Sequence, residues 1–551
     1  MNHPHFSFWP NRVPKTLVYP QTPLFEFLET SARRFPDHPA IIFYGTKIKY
    51  SDLWDSCLRL AGALAATGIK KGDRVALYMQ NCPHFAIGFL GIMRANAIVV
   101  PLNPMLVDNE LRTLLKDSGV SAIITTTELY SRVSGICGEL GIDKVIVGAL
   151  TDYLPETPEI PVPDFMKAIP ATIEGTTRWL DALAGAPAPP AVEVGPNDLC
   201  LLPYTAGSTG IPKGCMHTHA TVTANVMGSM YWTNGAPSLV GLASLPFFHV
   251  TGMIHSFLAP VAMGATFVIL TRWDRRAALA AIERYQVGLW ANITTMLIDL
   301  LSAPDIAEHD LGSLDFVGGG GAPLPAAVGE KLEELTGIRY AEGYGLTETI
   351  SQTHWNPPDR PKPGSIGIPV FGVDARILDV SGLTEVGVGE QGEIAVHGPQ
   401  VFKGYWNNLE ATREVFTEID GKQFFRTGDI GRTDEEGYFF VMDRLKRMIN
   451  AAGFKVWPAE VESTLYKHPA VLEACVIGIP DEERVETVKA FIVLRPEAAG
   501  TSADEIIAWS KQQMSAYKYP RLVEFVDSLP KSGAGKILWR QIQEKEMERF
   551  A

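Results

Sequence analysis

Residues 201–217 read LLPYTAGSTGIPKGCMH. A short apolar strand runs into small and hydroxylated residues, then a proline and a single lysine, Lys213. Gly207 and Gly210 permit positive φ and keep side chains out of the way. Thr205, Ser208 and Thr209 add hydroxyl donors. Successive free backbone N–H groups in such a turn form a concave anion site, and a triphosphate is its natural guest. The phosphate loop of ordinary NTPases needs G-x-x-x-x-G-K-[ST], with the lysine opening a helix. Here Pro212 precedes Lys213, and Gly214 and Cys215 follow it, so that pattern is not met. A plain glycine-rich surface loop is the competing reading.

Other stretches favour the phosphate. YAEGYGLTET (340–349) sets Thr347 and Glu348 beside glycines and Tyr344. A lone carboxylate near phosphates suits Mg²⁺, which takes one or two carboxylates plus phosphate oxygens. FVGGGGAP (316–323) is a strand ending in bare backbone, where a planar base could lie. In FFRTGDI (424–430), Asp429 could accept from the hydroxyls of a ribose. LPKSGAGKILWR (529–540) carries Lys536 on a glycine-hinged loop. Alone, each is a turn, a cap or an ordinary exposed lysine. Their joint presence in this order argues for one nucleotide site.

The elements that must position these residues alternate. The spacing predicts helices over 22–36, 50–68 (capped by Ser51) and 83–97, and strands over 39–45, 73–79, 98–103 and 121–126. Strands separated by amphipathic helices imply parallel sheets with crossovers. After DRLKRMIN the pattern changes: helix 458–468, strands in LEACVIGIPD and VKAFIVL, helix in SADEIIAWSKQQM, strand in RLVEFVDSLP. That is a compact α+β unit. The expected fold is therefore α/β: a large N-terminal domain (1–442) of parallel sheets with crossover helices, and a small C-terminal domain.

Composition limits the partners. The 551 residues hold 62 acids and 48 bases, a net charge of −14, which argues against a general nucleic-acid binder. The six cysteines form no Cys-x-x-Cys pair, so neither a disulfide framework nor a zinc site is expected. The start, MNHPHFSFWPNR, lacks a signal-peptide pattern. The longest apolar stretch, 257–270, falls short of the roughly 20 residues of a membrane span. A cytoplasmic location is the expectation.

With these motifs in this order, the chain resembles the adenylate-forming superfamily: acyl-CoA synthetases, 4-coumarate–CoA ligases, firefly luciferase and peptide-synthetase adenylation domains. The resemblance runs from FPDHPAIIFYG to GKILWR. It implies ATP, Mg²⁺ and coenzyme A as reagents and a two-step reaction. A carboxylate attacks the α-phosphorus of ATP and releases pyrophosphate; a thiol then takes the acyl group and releases AMP. It implies that Thr205 to Lys213 cradle phosphate, with Ala206 in place of the usual hydroxyl residue. Gly321, Ala322, Pro323 and Tyr344 would enclose adenine, with Gly343 beside them. Thr347 would touch the α-phosphate, Glu348 would hold Mg²⁺, and Asp429 and Arg444 would bind the ribose. Lys536 would reach the α-phosphate and the acid. Lys446, within a 443–446 junction, would be the hinge about which a mobile C-terminal domain (447–551) turns. Gly453 and Lys455 would border the pantetheine tunnel; Lys455 and Asn450 depart from the plant ligases. His249, in LPFFHVTG, would gate the site.

By the same resemblance the acid pocket comprises His249, Thr251, His255, Gly318, Gly319, Gly320, Gly343, Gly345, Ile350 and Gln352. No aspartate stands beside FFHV to pair an α-amino group. A medium- to long-chain fatty acid is expected, the glycine run leaving room; an aryl or aryl-propenoic acid also fits. A ligase delivering to a carrier protein, a luciferase-like oxygenase and a non-catalytic nucleotide binder are the rivals. A long-chain substrate would favour peripheral membrane contact, and a homodimer stays open.

Overall fold

The computed structural model describes residues 4–167, 173–205, 212–321, 324–380, 383–451, 454–481, 485–531 and 537–550. They divide into two compact units. The first comprises Met1–Asp374, Val396–Phe425 and Glu436–Tyr438; the second comprises Ala375–Ala395, Arg426–Glu435 and Phe439–Ala551.

Two large sheets organise the first unit. One has nine strands. Its parallel centre runs Ala341–Leu346, Phe316–Gly320, Leu289–Ile293, Val240–Ala243, Thr266–Ile269 and Pro39–Phe43. Antiparallel strands Ser351–Trp355 and Thr46–Lys49 flank that centre. The other has seven strands, parallel through Leu199–Leu201, Ile98–Leu102, Arg74–Tyr78, Ala122–Thr126, Val145–Gly148 and Thr177–Arg178. The expected parallel sheets with helical crossovers are present; antiparallel strands close both edges of the first and one edge of the second, at His217–Thr218.

Helix Pro83–Arg94 is apolar all round, and eleven of its twelve residues are buried, because it lies between layers. A Cβ on Gly88 would meet Leu77 Cδ2 at 2.8 Å, and one on Gly91 would meet Leu60 Cδ2 at 2.9 Å. The helix therefore fits between strand Arg74–Tyr78 and helix Tyr50–Ala66. Asn81 ties the ends of two strands from different sheets: its Nδ2 donates to Leu245 O and its Oδ1 accepts from Phe247 N–H, both at 2.8 Å. One expectation fails locally. Helix Tyr50–Ala66 begins after Lys49, without a side-chain cap, and Ser51 lies inside it; the Ser51 N–H is satisfied by Pro36 O at 3.0 Å.

In the second unit, strands Phe454–Val456, Ile449–Ala451, Val485–Leu494 and Val471–Asp481 are antiparallel, and Leu522–Phe525 pairs in parallel with Val485–Leu494. Helices Pro458–Leu465 and Ala503–Gln513 match the predicted spans, the second capped by Ser502, whose Oγ accepts from Glu505 N–H. The α+β pattern follows the sequence closely.

Buried histidines give the first unit a distinct acid response. Burial pushes His217, His219 and His255 down to about 4 and His354 to about 3, from an ordinary 6.5. The unfolded chain takes up these protons below pH 6.5 while the folded chain does not. These four groups add no pH dependence above pH 7 and destabilise the fold as pH drops towards 4, each by about 3 kcal/mol across that window, offset in part by Glu342, whose raised carboxyl acts in the opposite sense. Urea midpoints should fall steadily from pH 7 to pH 5. A midpoint constant over that range contradicts the burial of neutral imidazoles.

Candidate active site

The glycine-rich stretch begins and ends in a two-stranded hairpin. Strand Tyr204–Thr205 pairs with Lys213–Gly214, setting Thr205 opposite Lys213. Residues 206–211, with Gly207, Ser208, Thr209 and Gly210, lie outside the described residues. The chain after Lys213 is gripped by a distant segment: Trp406 N–H donates to Gly214 O (2.8 Å), Met216 N–H to Gly404 O (3.0 Å) and Lys403 N–H to Met216 O (2.9 Å).

That grip delivers Tyr405. Its ring lies 4.9 Å from Lys213 Nζ, and its hydroxyl donates to Glu348 Oε1 at 2.8 Å. Burial first, and then the Glu348 charge, push the Tyr405 phenol up, so it remains a neutral donor. Glu348 is 7% exposed, and its carbonyl accepts Phe402 N–H at 2.8 Å. Burial and the same carboxylate charge raise the Cys215 thiol, which makes it inert as a nucleophile. A lysine, a phenol and a buried carboxylate thus converge on one another.

Thr347 and Glu348 lie on a single 3-10 turn, Thr347–Thr349, after strand Ala341–Leu346. Thr347 O is 2.8 Å from His217 Nε2. The turn leads into strained backbone: Ile350 has φ 45° and Ser351 φ 97°. Positive φ on a β-branched residue costs of order 1–3 kcal/mol and persists only where the surroundings impose it. Thr349 Oγ1 accepts Leu346 N–H at 3.0 Å and donates to Ser351 O at 2.7 Å. A Cβ on Gly345 would sit 1.8 Å from Ser351 O, so this return of the chain requires glycine there.

Gly318, Gly319 and Gly320 pair in register with Ala341, Glu342 and Gly343. A Cβ on Gly319 would meet Asn292 O at 1.8 Å, and one on Gly320 would meet Gly343 O at 2.2 Å. What these glycines admit is therefore neighbouring backbone. Gly321 has φ 93°, another position that favours glycine; Ala322 and Pro323 lie outside the described residues. The Tyr344 ring packs 5.9 Å from that of His354. Glu342 is pushed up to about 7 by burial, against a Leu324 backbone hydrogen bond that lowers it.

His249 is exposed, and its Nδ1 accepts Thr251 N–H at 3.3 Å, while the preceding Phe247 is buried against Phe85 and Phe257. His255 is buried, with Nδ1 2.9 Å from Ser229 Oγ, Nε2 3.2 Å from Ser351 Oγ and its ring 4.8 Å from Trp355. Gln352 is buried, and its Nε2 donates to Asn225 O at 3.3 Å.

In the second unit Asp429 is buried and pairs in register with Arg444 on strand Phe439–Arg444. Lys446 lies in the turn Leu445–Arg447, and Lys455 pairs with Asn450. Gly453 and Lys536 lie outside the described residues. Either side of 532–536 in the chain, Lys531 pairs with Ile537 across an isolated bridge, and Leu538 N–H donates to Pro530 O at 2.8 Å.

The model for AMP-binding enzyme matches residues 28–406, and that for the AMP-binding enzyme C-terminal domain matches 460–536. The chain belongs to the AMP-binding enzymes. This adenylate-forming chain is 37% identical to a long-chain-fatty-acid–CoA ligase of Bacillus subtilis, over 99% of its own length and 98% of the relative's. It is 35% identical to a feruloyl-CoA synthase of Amycolatopsis sp, over 93% and 97%. Its fold matches the ATP-bound crystal structure of MatB from Rhodopseudomonas palustris with a TM-score of 0.84 at 28% identity, covering 97% of this chain and all of that one. The adenylate-forming chain is an AMP-forming acyl-CoA synthetase, an enzyme whose reagents are a carboxylic acid, ATP, Mg²⁺ and coenzyme A.

Glu348 fits the metal. It is a buried carboxylate, and one of its oxygens accepts from a neutral phenol, Tyr405. That donor set suits a hard cation which completes its shell with phosphate oxygens and water. Among the described residues no cluster of three or more histidine, cysteine, aspartate or glutamate side chains could hold a metal by itself. All six cysteines are free, and no helix among the described residues is long and apolar enough to cross a membrane. The sequence reading missed His217 and Tyr405. His217 stood inside the quoted stretch, two residues past Cys215; nothing local marks Tyr405.

Proposed function

We propose that the chain activates a medium- to long-chain fatty acid and passes the acyl group to coenzyme A. The convergence of Lys213, Tyr405 and Glu348 carries the site reading. The long-chain-fatty-acid–CoA ligase, similar over 99% of this chain, supports the substrate class. An acid with a pKa of roughly 4 is ionised at neutral pH, so the first step needs no general base. Its obstacle is an anion approaching a polyanion. Lys213, Lys536 and the backbone N–H groups of 205–213 offset that repulsion where charge develops. Bound Mg²⁺ adds charge neutralisation on the phosphates. Gly321, Ala322, Pro323, Gly343 and Tyr344 hold the base, and Asp429 and Arg444 the ribose; Thr347 orients the α-phosphate. The thiol step needs other groups at the same carbonyl. A rotation at Lys446, between an N-terminal part ending at 442 and a C-terminal part starting at 447, withdraws Lys536 and presents Gly453 and Lys455.

The buried Ser229–His255–Ser351 chain favours a second reading, an aryl acid with a hydroxyl donor. The feruloyl-CoA synthase relative is consistent with it. Acid-dependent exchange of labelled pyrophosphate into ATP, run with C8–C18 fatty acids against hydroxycinnamic acids, separates the two. Fatty acids should give the higher kcat/KM. Preference for the hydroxylated aryl acids would replace the first reading with the second.

A further inference from the structure

Helix His219–Trp232 is almost wholly buried, yet Thr221, Asn225 and Ser229 recur along it four residues apart and so form a polar stripe on one face. Buried polar side chains need partners. Asn225 reaches one stretch of backbone directly, while Thr221, which also bonds Thr218 O, and Ser229 reach the same stretch through a histidine each. Thr221 Oγ1 is 3.3 Å from His217 Nδ1, and His217 Nε2 is 2.8 Å from Thr347 O. The carbonyl can only accept, so Nε2 carries the proton. Asn225 Nδ2 donates to Thr349 O and to Ile350 O, each at 2.9 Å. Ser229 reaches His255 Nδ1, and His255 Nε2 reaches Ser351 Oγ. One helix face thus holds consecutive points of residues 347–351, the stretch that carries Thr347 and Glu348 and contains both strained residues.

We infer that Asn225 is a positioning residue for the Thr347–Glu348 turn, setting the geometry of the adenylation step without touching substrate. Its amide is 1% exposed and spans the two carbonyls beside the left-handed Ile350. Without it, two buried acceptors lose their donor at the point where the backbone is least able to hold itself. The inference rests on the assignment of Thr347 and Glu348 to the ATP site. Misplacement of about 1 Å at a reacting centre can cost 10²-fold in rate.

The test compares Asn225→Ala, Asn225→Ser and Glu348→Gln by acid-dependent pyrophosphate exchange, equilibrium binding of ATP and hydrogen–deuterium exchange. Serine has one donor on a shorter arm and cannot span both carbonyls; it decides the question if the alanine variant does not fold. Asn225→Ala should lower kcat about 10²-fold, keep KM for acid and ATP within about threefold, and speed deuterium uptake in peptides covering 346–353 alone. Wild-type kcat overturns the inference. So does a joint loss of kcat, KM and protection across the whole first unit, the signature of a merely structural role. Wild-type exchange in Glu348→Gln overturns the site assignment instead, and is distinguishable because it needs no change at Asn225.

Discussion

Replacing Glu348 with glutamine is expected to lower acid-dependent pyrophosphate exchange by about 10³-fold with the fold intact. The substitution keeps side-chain volume in a site only 7% exposed. The amide oxygen can still accept the Tyr405 hydroxyl, so the contact at 2.8 Å survives. What goes is the negative charge. A Mg²⁺ ion with one protein carboxylate loses its anchor, and the triphosphate loses the countercharge that lets a carboxylate approach. The melting temperature should move by no more than a few degrees, because side-chain volume is kept and no cavity is created. Exchange within twofold of wild type would remove Glu348 from the chemistry.

Replacing Lys536 with alanine should split the two half-reactions. Adenylation should fall by about 10³-fold, since the lysine offsets charge at the α-phosphorus and the entering carboxylate. Transfer of the acyl group from chemically prepared acyl-adenylate to coenzyme A should stay within a few-fold, because that step needs no cation at the same place. The chain around this lysine is anchored on both sides. Lys531 forms an ion pair with Glu473 and pairs with Ile537, and helix Trp539–Met547 is held to the sheet by Lys489 Nζ on Glu546 Oε1 at 2.6 Å. Equal loss in both half-reactions would show that Lys536 has no step-specific part. No loss in either would exclude it.

Much of the frame was legible because strand and helix signals are local. Short β-rich runs separated by amphipathic helices marked Arg74–Tyr78, Ala122–Thr126 and the C-terminal α+β pattern. The glycine-rich and YGLTE stretches pointed to one nucleotide site through the chemistry of their residue types. What stayed hidden is non-local. Tyr405 meets Glu348 across 57 positions, Asn225 meets Thr349 across 124 and His217 meets Thr347 across 130. No spacing rule reaches that far. The Ser51 cap failed because the chain is extended at Lys49, which takes the cap position, and the first helical turn starts two residues early. Glycines 318–320 also serve close strand approach, which no local pattern shows: Asn292 O stands where a Cβ on Gly319 would be. A bare-backbone run has both explanations, and only tertiary packing separates them.

The most direct test of acid activation through AMP is pyrophosphate exchange measured without coenzyme A. Labelled pyrophosphate should enter ATP only when the acid and Mg²⁺ are present, and later addition of coenzyme A should release AMP in step with the thioester. Exchange that requires coenzyme A, or turnover that releases ADP and phosphate, would contradict it.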